Sequence, residues 1–151
     1  LAAIQDVQPY EDGRMDLVTV GVSRFRILDE LPGEPYAQAR VELLDEPDEP
    51  TEIHEVVELF ESYLETLSEL SNQSYELKIV RDPEQLSYQI ASVLPLELEE
   101  KQLLLEAPST CDRLSVEADM LRRETEQIRE FAAKSRELGY FYFRGKRLSR
   151  N

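Results

Sequence analysis

The hydrophobic period changes once along this chain, near residue 50, and that switch limits the folds open to it. Before it, apolar residues alternate with polar ones, the period of strands with one wet face. After it they recur every three or four residues, the period of helices. Strands gathered first and helices after predict an α+β architecture, not an alternating parallel-sheet fold. The 151 residues suit one domain or two small subdomains sharing a core.

The front segment reads as four strands. Residues 1–8 form the first. Glu11-Asp12-Gly13 follows Pro9, and Asp-Gly between apolar runs predicts a hairpin tip. Met15 to Val20 is the return strand, and Gly21 predicts a bulge or bend after it. Ser23, Phe25 and Ile27 then alternate with Arg24 and Arg26. Pro32-Gly33 and Pro35 mark a turn. Ala37, Ala39, Val41 and Leu43 alternate with Gln38, Arg40 and Glu42, and Asp45 to Pro50 breaks the pattern.

Four helices follow. Thr51 is the expected cap of the first, whose stripe is Ile53, Val56, Val57, Phe60, Tyr63, Leu64, Leu67 and Leu70. Asp82-Pro83-Glu84-Gln85 starts the second, with Asp at the cap and Pro in the first turn. Its stripe is Leu86, Ile90, Ala91 and Leu94. A short helix spans about Glu97 to Glu106. Ser109 and Asp112 stand at capping-box spacing before a long last helix. The long helix carries Leu114, Ala118, Leu121, Thr125, Ile128, Ala132, Ser135 and Leu138 on one side. Asp119 with Arg123, and Glu130 with Lys134, are expected i,i+4 pairs, and Gly139 is the expected stop.

Charge and composition exclude several roles. The formal charge is −15; residues 1–110 hold 25 acids and 7 bases, residues 111–151 hold 7 acids and 10 bases. A polyanion of this kind disfavours DNA as a partner. The longest apolar runs are a few residues, too short to span a bilayer, so no membrane association is expected. One cysteine, Cys111, makes an internal disulfide impossible and favours a reducing compartment, the cytoplasm or an organelle stroma. Its expected state is a semi-buried, inert thiol. His54 stands in the first turn of a helix, a surface or capping position. One His and one Cys, far apart, offer no zinc spacing. The sequence yields no catalytic residue, no cofactor motif and no metal site.

The segment after Gly139 departs from the rest. Tyr140, Phe141, Tyr142 and Phe143 are consecutive aromatics, followed by Arg144, Lys146 and Arg147. Aromatic rings beside cations suit contact with a peptide or single-stranded nucleic acid. These four aromatics are the candidate partner contacts, set against the plainer expectation of a tail folding back on the domain.

Three stretches together resemble the amino-terminal substrate-binding domain of Lon proteases. The first is Leu1 to Leu28, with Gly21-Val22-Ser23-Arg24-Phe25-Arg26-Ile27 after the Asp-Gly hairpin. The second is Pro35-Tyr36 leading to Ala39-Arg40-Val41. The third runs from Asp82-Pro83 to Leu114 and contains Leu86-Ser87-Tyr88-Gln89-Ile90-Ala91, Leu94-Pro95-Leu96, Lys101-Gln102 with Leu104-Leu105-Glu106, and Arg113-Leu114. The ordered set covers the chain to about Leu121.

The resemblance implies a PUA-like, β-barrel-type sheet from the strands in 1–45, then a helical bundle ending in a long helix. The expected division is a β subdomain at 1–50, a helical subdomain at 51–138 and an aromatic, basic tail at 139–151. The family's usual first strands and its Phe-Glu-x-Arg-Tyr-like helix do not precede Leu1, so residues upstream are expected in the natural protein. The implied function is recognition of unfolded or tagged polypeptide, through apolar grooves between barrel and helices, with the acidic surroundings favouring basic segments. A protease or chaperone is an implied partner. No ATPase or Ser–Lys peptidase motif is present, so a stand-alone domain without catalysis is the leading expectation. The alternatives are a piece of a full ATP-dependent serine protease and a PUA-like RNA-binding module.

Overall fold

The computed structural model describes residues 1–33, 35–47, 49–71 and 77–137. The chain divides into two units, Leu1–Pro47 and Asp48–Asn151.

The first unit holds strands β1 (Ala2–Pro9), β2 (Met15–Gly21), β3 (Arg24–Leu31) and β4 (Gln38–Leu44). They pair as two antiparallel ladders, β1 with β2 and β3 with β4. The Asp-Gly tip behaves as the sequence predicts. The Tyr10 N–H donates to the Arg14 carbonyl at 2.8 Å and the Gly13 N–H to the Tyr10 carbonyl at 3.1 Å. Gly13 has φ +86°, a conformation that a β-carbon penalises. This is the three-residue hairpin loop whose last residue is left-handed. The Asp12 carboxylate accepts from the Arg14 backbone N–H at 3.1 Å and from its Nε at 2.8 Å.

Each ladder carries one bulge, and neither is at Gly21, which ends β2 instead. Ile4 pairs with Thr19 and Asp6 with Val18, so Gln5 is the extra residue. Ile27 pairs with Val41 and Asp29 with Arg40, leaving Leu28 extra. The registers put Ile4, Val7, Leu17 and Met15 on one face of the first ladder. Phe25, Ile27, Val41 and Leu43 share one face of the second. Across the opposite face Arg26 pairs with Glu42 at 3.1 Å, and Arg40 with Asp29. Arg24, expected on a wet face, is instead mostly covered and pairs with Glu46 at 2.7 Å.

The second unit contains α1 (His54–Ser71), α2 (Pro83–Val93), α3 (Leu98–Glu106) and α4 (Thr110–Glu137). Their apolar stripes meet in one core that includes Val57, Phe60, Tyr63, Leu86, Ile90, Leu94, Leu114 and Leu121. The contacts that join α1 to α4 include Arg122 to Glu55, and Arg129 Nη2 to the Ser62 hydroxyl at 3.2 Å. Both join residues 67 apart in sequence, so the two helices run in the same direction. Two stripes of like period laid parallel explain how α4 buries Leu121 and Thr125 despite its small-residue composition.

The helix ends differ in detail from expectation. Asp82 caps α2 as expected, its carboxylate accepting from the Gln85 N–H at 2.9 Å. Ser109 caps α4, its hydroxyl accepting from the Asp112 N–H at 3.1 Å. Thr51 is not the cap of α1. Its hydroxyl donates to the Glu49 carbonyl at 3.0 Å, while the Val57 N–H bonds to the Ile53 carbonyl at 2.9 Å, making Ile53 the first residue of the turn. The side chain of Gln89 holds the preceding extended segment on α2: its Nε2 donates to the Lys78 carbonyl at 2.9 Å and its Oε1 accepts from the Val80 N–H at 3.1 Å. Glu130 and Lys134 pair as expected at 3.3 Å. Asp119 instead takes Arg122, at 2.8 Å, and Arg123 reaches Glu100 of α3 at 2.9 Å. A link between helices thus replaces the expected one within a helix. The expected stop at Gly139 lies outside the described residues.

Candidate functional site

The junction of α2, α3 and α4 concentrates what the second unit offers chemically. Arg113 projects from the first turn of α4 into the core and is 1 % exposed. Its Nε donates to the Ser87 hydroxyl at 2.6 Å, and its Nη2 donates to the Thr110 hydroxyl at 3.1 Å. The ring of Tyr88 covers the guanidinium, 4.7 Å from centroid to Cζ. Ser87 passes the chain on, donating to Glu117 Oε1 at 3.0 Å. Glu117 is 0 % exposed, and its Oε2 has no hydrogen-bond partner among the described residues. Burial pushes the Glu117 carboxyl up to about 8, against the opposing pull of the Ser87 hydrogen bond and the Arg113 charge. The carboxyl is therefore mainly neutral at pH 7. Ser87 and Glu117 are sealed from solvent, so this chain of polar groups ties α2 to α4 and presents no reactive atom to a substrate.

Immediately above lies a cleft of about 250 Å³, lined by Tyr88, Ala91, Ser92, Lys101, Leu104, Leu105 and Arg113. Tyr88, Ala91 and Ser92 belong to α2, the next three to α3 and Arg113 to α4. A second, open concavity is lined by Leu98, Glu99, Gln102 and Leu103 of α3 alone. Leu98 is 79 % and Leu103 63 % exposed. Only Leu104 of this helix is buried, so α3 turns most of its leucines outward. The Arg123 link fixes Glu100, and that hydrogen bond holds its carboxyl below the usual range.

Other expected positions resolve simply. His54 is exposed, with Nε2 3.4 Å from Glu58. Cys111 is exposed, not semi-buried: it falls on the outer side of the first turn of α4, beside inward-pointing Arg113 and Leu114. Among the described residues no group of His, Cys, Asp or Glu converges as a metal site, and no helix is long and apolar enough to cross a membrane. Tyr140, Phe141, Tyr142 and Phe143 lie outside the described residues. Arg113, Ser87 and Glu117 escape a reading based on hydropathy. Their spacing was the available signal: Glu117 is three residues after Leu114 and four before Leu121, directly on the buried stripe.

The chain has two antiparallel ladders, each with one bulge, followed by four helices that keep an arginine under a tyrosine. The family model for the substrate-binding domain of the ATP-dependent protease La (Lon) matches residues 1–123, and the chain belongs to that family. A Lon protease from Trichlorobacter lovleyi is 30 % identical over 135 residues, covering 85 % of this chain. The matched region is 16 % of that protein's length.

Proposed function

We propose that the chain is a non-catalytic polypeptide-recognition module that docks unfolded or tagged segments on open apolar surface. The observation that carries this reading is the outward display of large apolar side chains by a member of a substrate-binding family. Leu98 and Leu103 stand out from α3 into solvent. Both line one open concavity with Glu99 and Gln102, and large apolar side chains grouped in the open suit contact with a partner. Unfolded chains supply the matching apolar side chains, which folded proteins bury.

Within this reading the two ladders belong to a curved, PUA-like sheet, the β subdomain spans 1–50, and Tyr140 to Phe143 of the 139–151 tail add aromatic contacts. The −15 charge draws basic segments over long range. The module acts in a reducing compartment such as the cytoplasm, alongside an ATP-dependent protease or chaperone that processes what it binds. A peptide array probed with the purified chain tests the reading. Retention on apolar spots flanked by Lys or Arg is expected; a blank array, or retention independent of apolar content, contradicts it.

A further inference from the structure

We infer that the cleft between α2, α3 and α4 is a subsite for the C-terminal residue of a bound polypeptide, taking its apolar side chain and its α-carboxylate together. The inference rests on the recognition reading above and adds a substrate class to it.

Three observations carry it. The first is charge. In a chain of net charge −15, this cleft is lined by two cations, Lys101 and Arg113, and by no carboxylate. Lys101 is exposed and makes no ion pair among the described residues, whereas nearby Arg123 is engaged by Glu100 and Glu124. The cleft is thus a local inversion of the surrounding field and fits an anionic group. The second is lining. Apart from Lys101, Arg113 and Ser92, the walls are Tyr88, Ala91, Leu104 and Leu105, so the occupant needs an apolar body. The third is size. About 250 Å³ is below the roughly 300 Å³ at which pockets for drug-sized ligands begin. The space admits one residue. A single residue bearing both an apolar side chain and an anion is a C-terminal Leu, Met or Phe.

The parts divide the work. Lys101, on a flexible stem at the cleft, reaches the carboxylate. Arg113 is held under Tyr88 by Ser87 and Thr110, and it supplies positive potential from below without leaving its buried bonds. Tyr88, Leu104 and Leu105 grip the side chain.

Fluorescence anisotropy of the 151-residue chain with labelled peptides tests this. One peptide ends in Leu with a free carboxylate, one is its C-terminal amide, and one is the amide with an internal Leu-Asp pair. The free acid is expected to bind about tenfold more tightly than either amide, as a charge-assisted contact contributes. Lys101→Glu is expected to abolish that preference and Lys101→Arg to retain it, with circular dichroism unchanged because the side chain is exposed. Equal binding of acid and amide, or binding of the Leu-Asp amide as tight as the acid, overturns the subsite. If Lys101→Glu leaves the free-acid preference intact, the cleft is not its source and the inference fails, while polypeptide recognition stands. Failure of the chain to bind any unfolded polypeptide removes the recognition reading itself, and this inference with it.

Discussion

Ser87 and Glu117, 30 residues apart in sequence, meet across 3.0 Å in the sealed centre of the helical unit, with the serine hydroxyl donating to the carboxyl. The contact sets α2 against α4 through a group that burial keeps protonated near neutrality. The same serine accepts from Arg113, so one hydroxyl links the buried acid to the buried base.

That arrangement fixes a pH dependence. The Glu117 carboxyl is raised from an ordinary 4.5 to about 8 in the folded chain. The unfolded chain therefore releases this proton at lower pH than the folded one does. The stabilisation from Glu117 is fully present below pH 4.5 and is lost progressively as pH rises through about 8. Glu117→Gln, which cannot ionise, should flatten the profile and be the more stable protein at pH 8, by on the order of a few kcal/mol. Urea unfolding at pH 5, 6.5 and 8 checks the sign; a Gln variant that loses stability in parallel with the parent contradicts it.

Arg113 is expected to be the costliest polar residue of the unit to lose. Arg113→Ala strips Ser87 and Thr110 of a donor and leaves a hole under the Tyr88 ring. Hydroxyls left without a buried donor, together with the cavity, cost roughly 2–5 kcal/mol. Arg113→Lys should recover only part of this, since an ammonium lacks the planar fork. Thermal melts of the two variants give the order: parent, then Lys, then Ala.

Phe60 is fully buried where α1 faces the core. Phe60→Ala should destabilise the helical unit by about 3–5 kcal/mol, through lost transfer energy and the cavity left behind. Far-UV circular dichroism during urea unfolding would show a lower midpoint at unchanged slope.

At the hairpin tip, Gly13→Ala places a β-carbon on a backbone with φ +86°. The penalty is about 1–2 kcal/mol, confined to the loop. Faster amide exchange at Tyr10, whose N–H bonds to the Arg14 carbonyl, is the expected readout, with the helical amides unaffected.

These elements differ in how far the sequence discloses them. The Asp12-Gly13 hairpin and the Asp82 and Ser109 caps are readable because each rests on bonds between residues at most four apart. The helix stripes are readable from period alone, and Leu86, Ile90, Leu114 and Leu121 are buried as expected. Glu117 and Arg113 are not, because a charged residue on an apolar stripe looks like a solvated one until its partner is known. That partner, Ser87, comes from another helix. The cleft is hidden for a similar reason: Tyr88, Lys101 and Arg113 converge only once three helices pack. Period is equally silent on whether Leu98 and Leu103 face in or out, since α3 is leucine-rich on more than one side.

The central claim is that open apolar surface captures unfolded polypeptide, and α3 exposes it most directly to test. Leu98 and Leu103 are largely in solvent, so Leu98→Ser with Leu103→Ser removes apolar area without opening the core. Anisotropy titration of a labelled, permanently unfolded protein against the parent and this double variant is the measurement. The account predicts saturable binding by the parent, weakened about tenfold or more in the variant, with the folded form of the same labelled protein not bound. Equal affinity of parent and variant, or no binding of the unfolded protein by the parent, would contradict it.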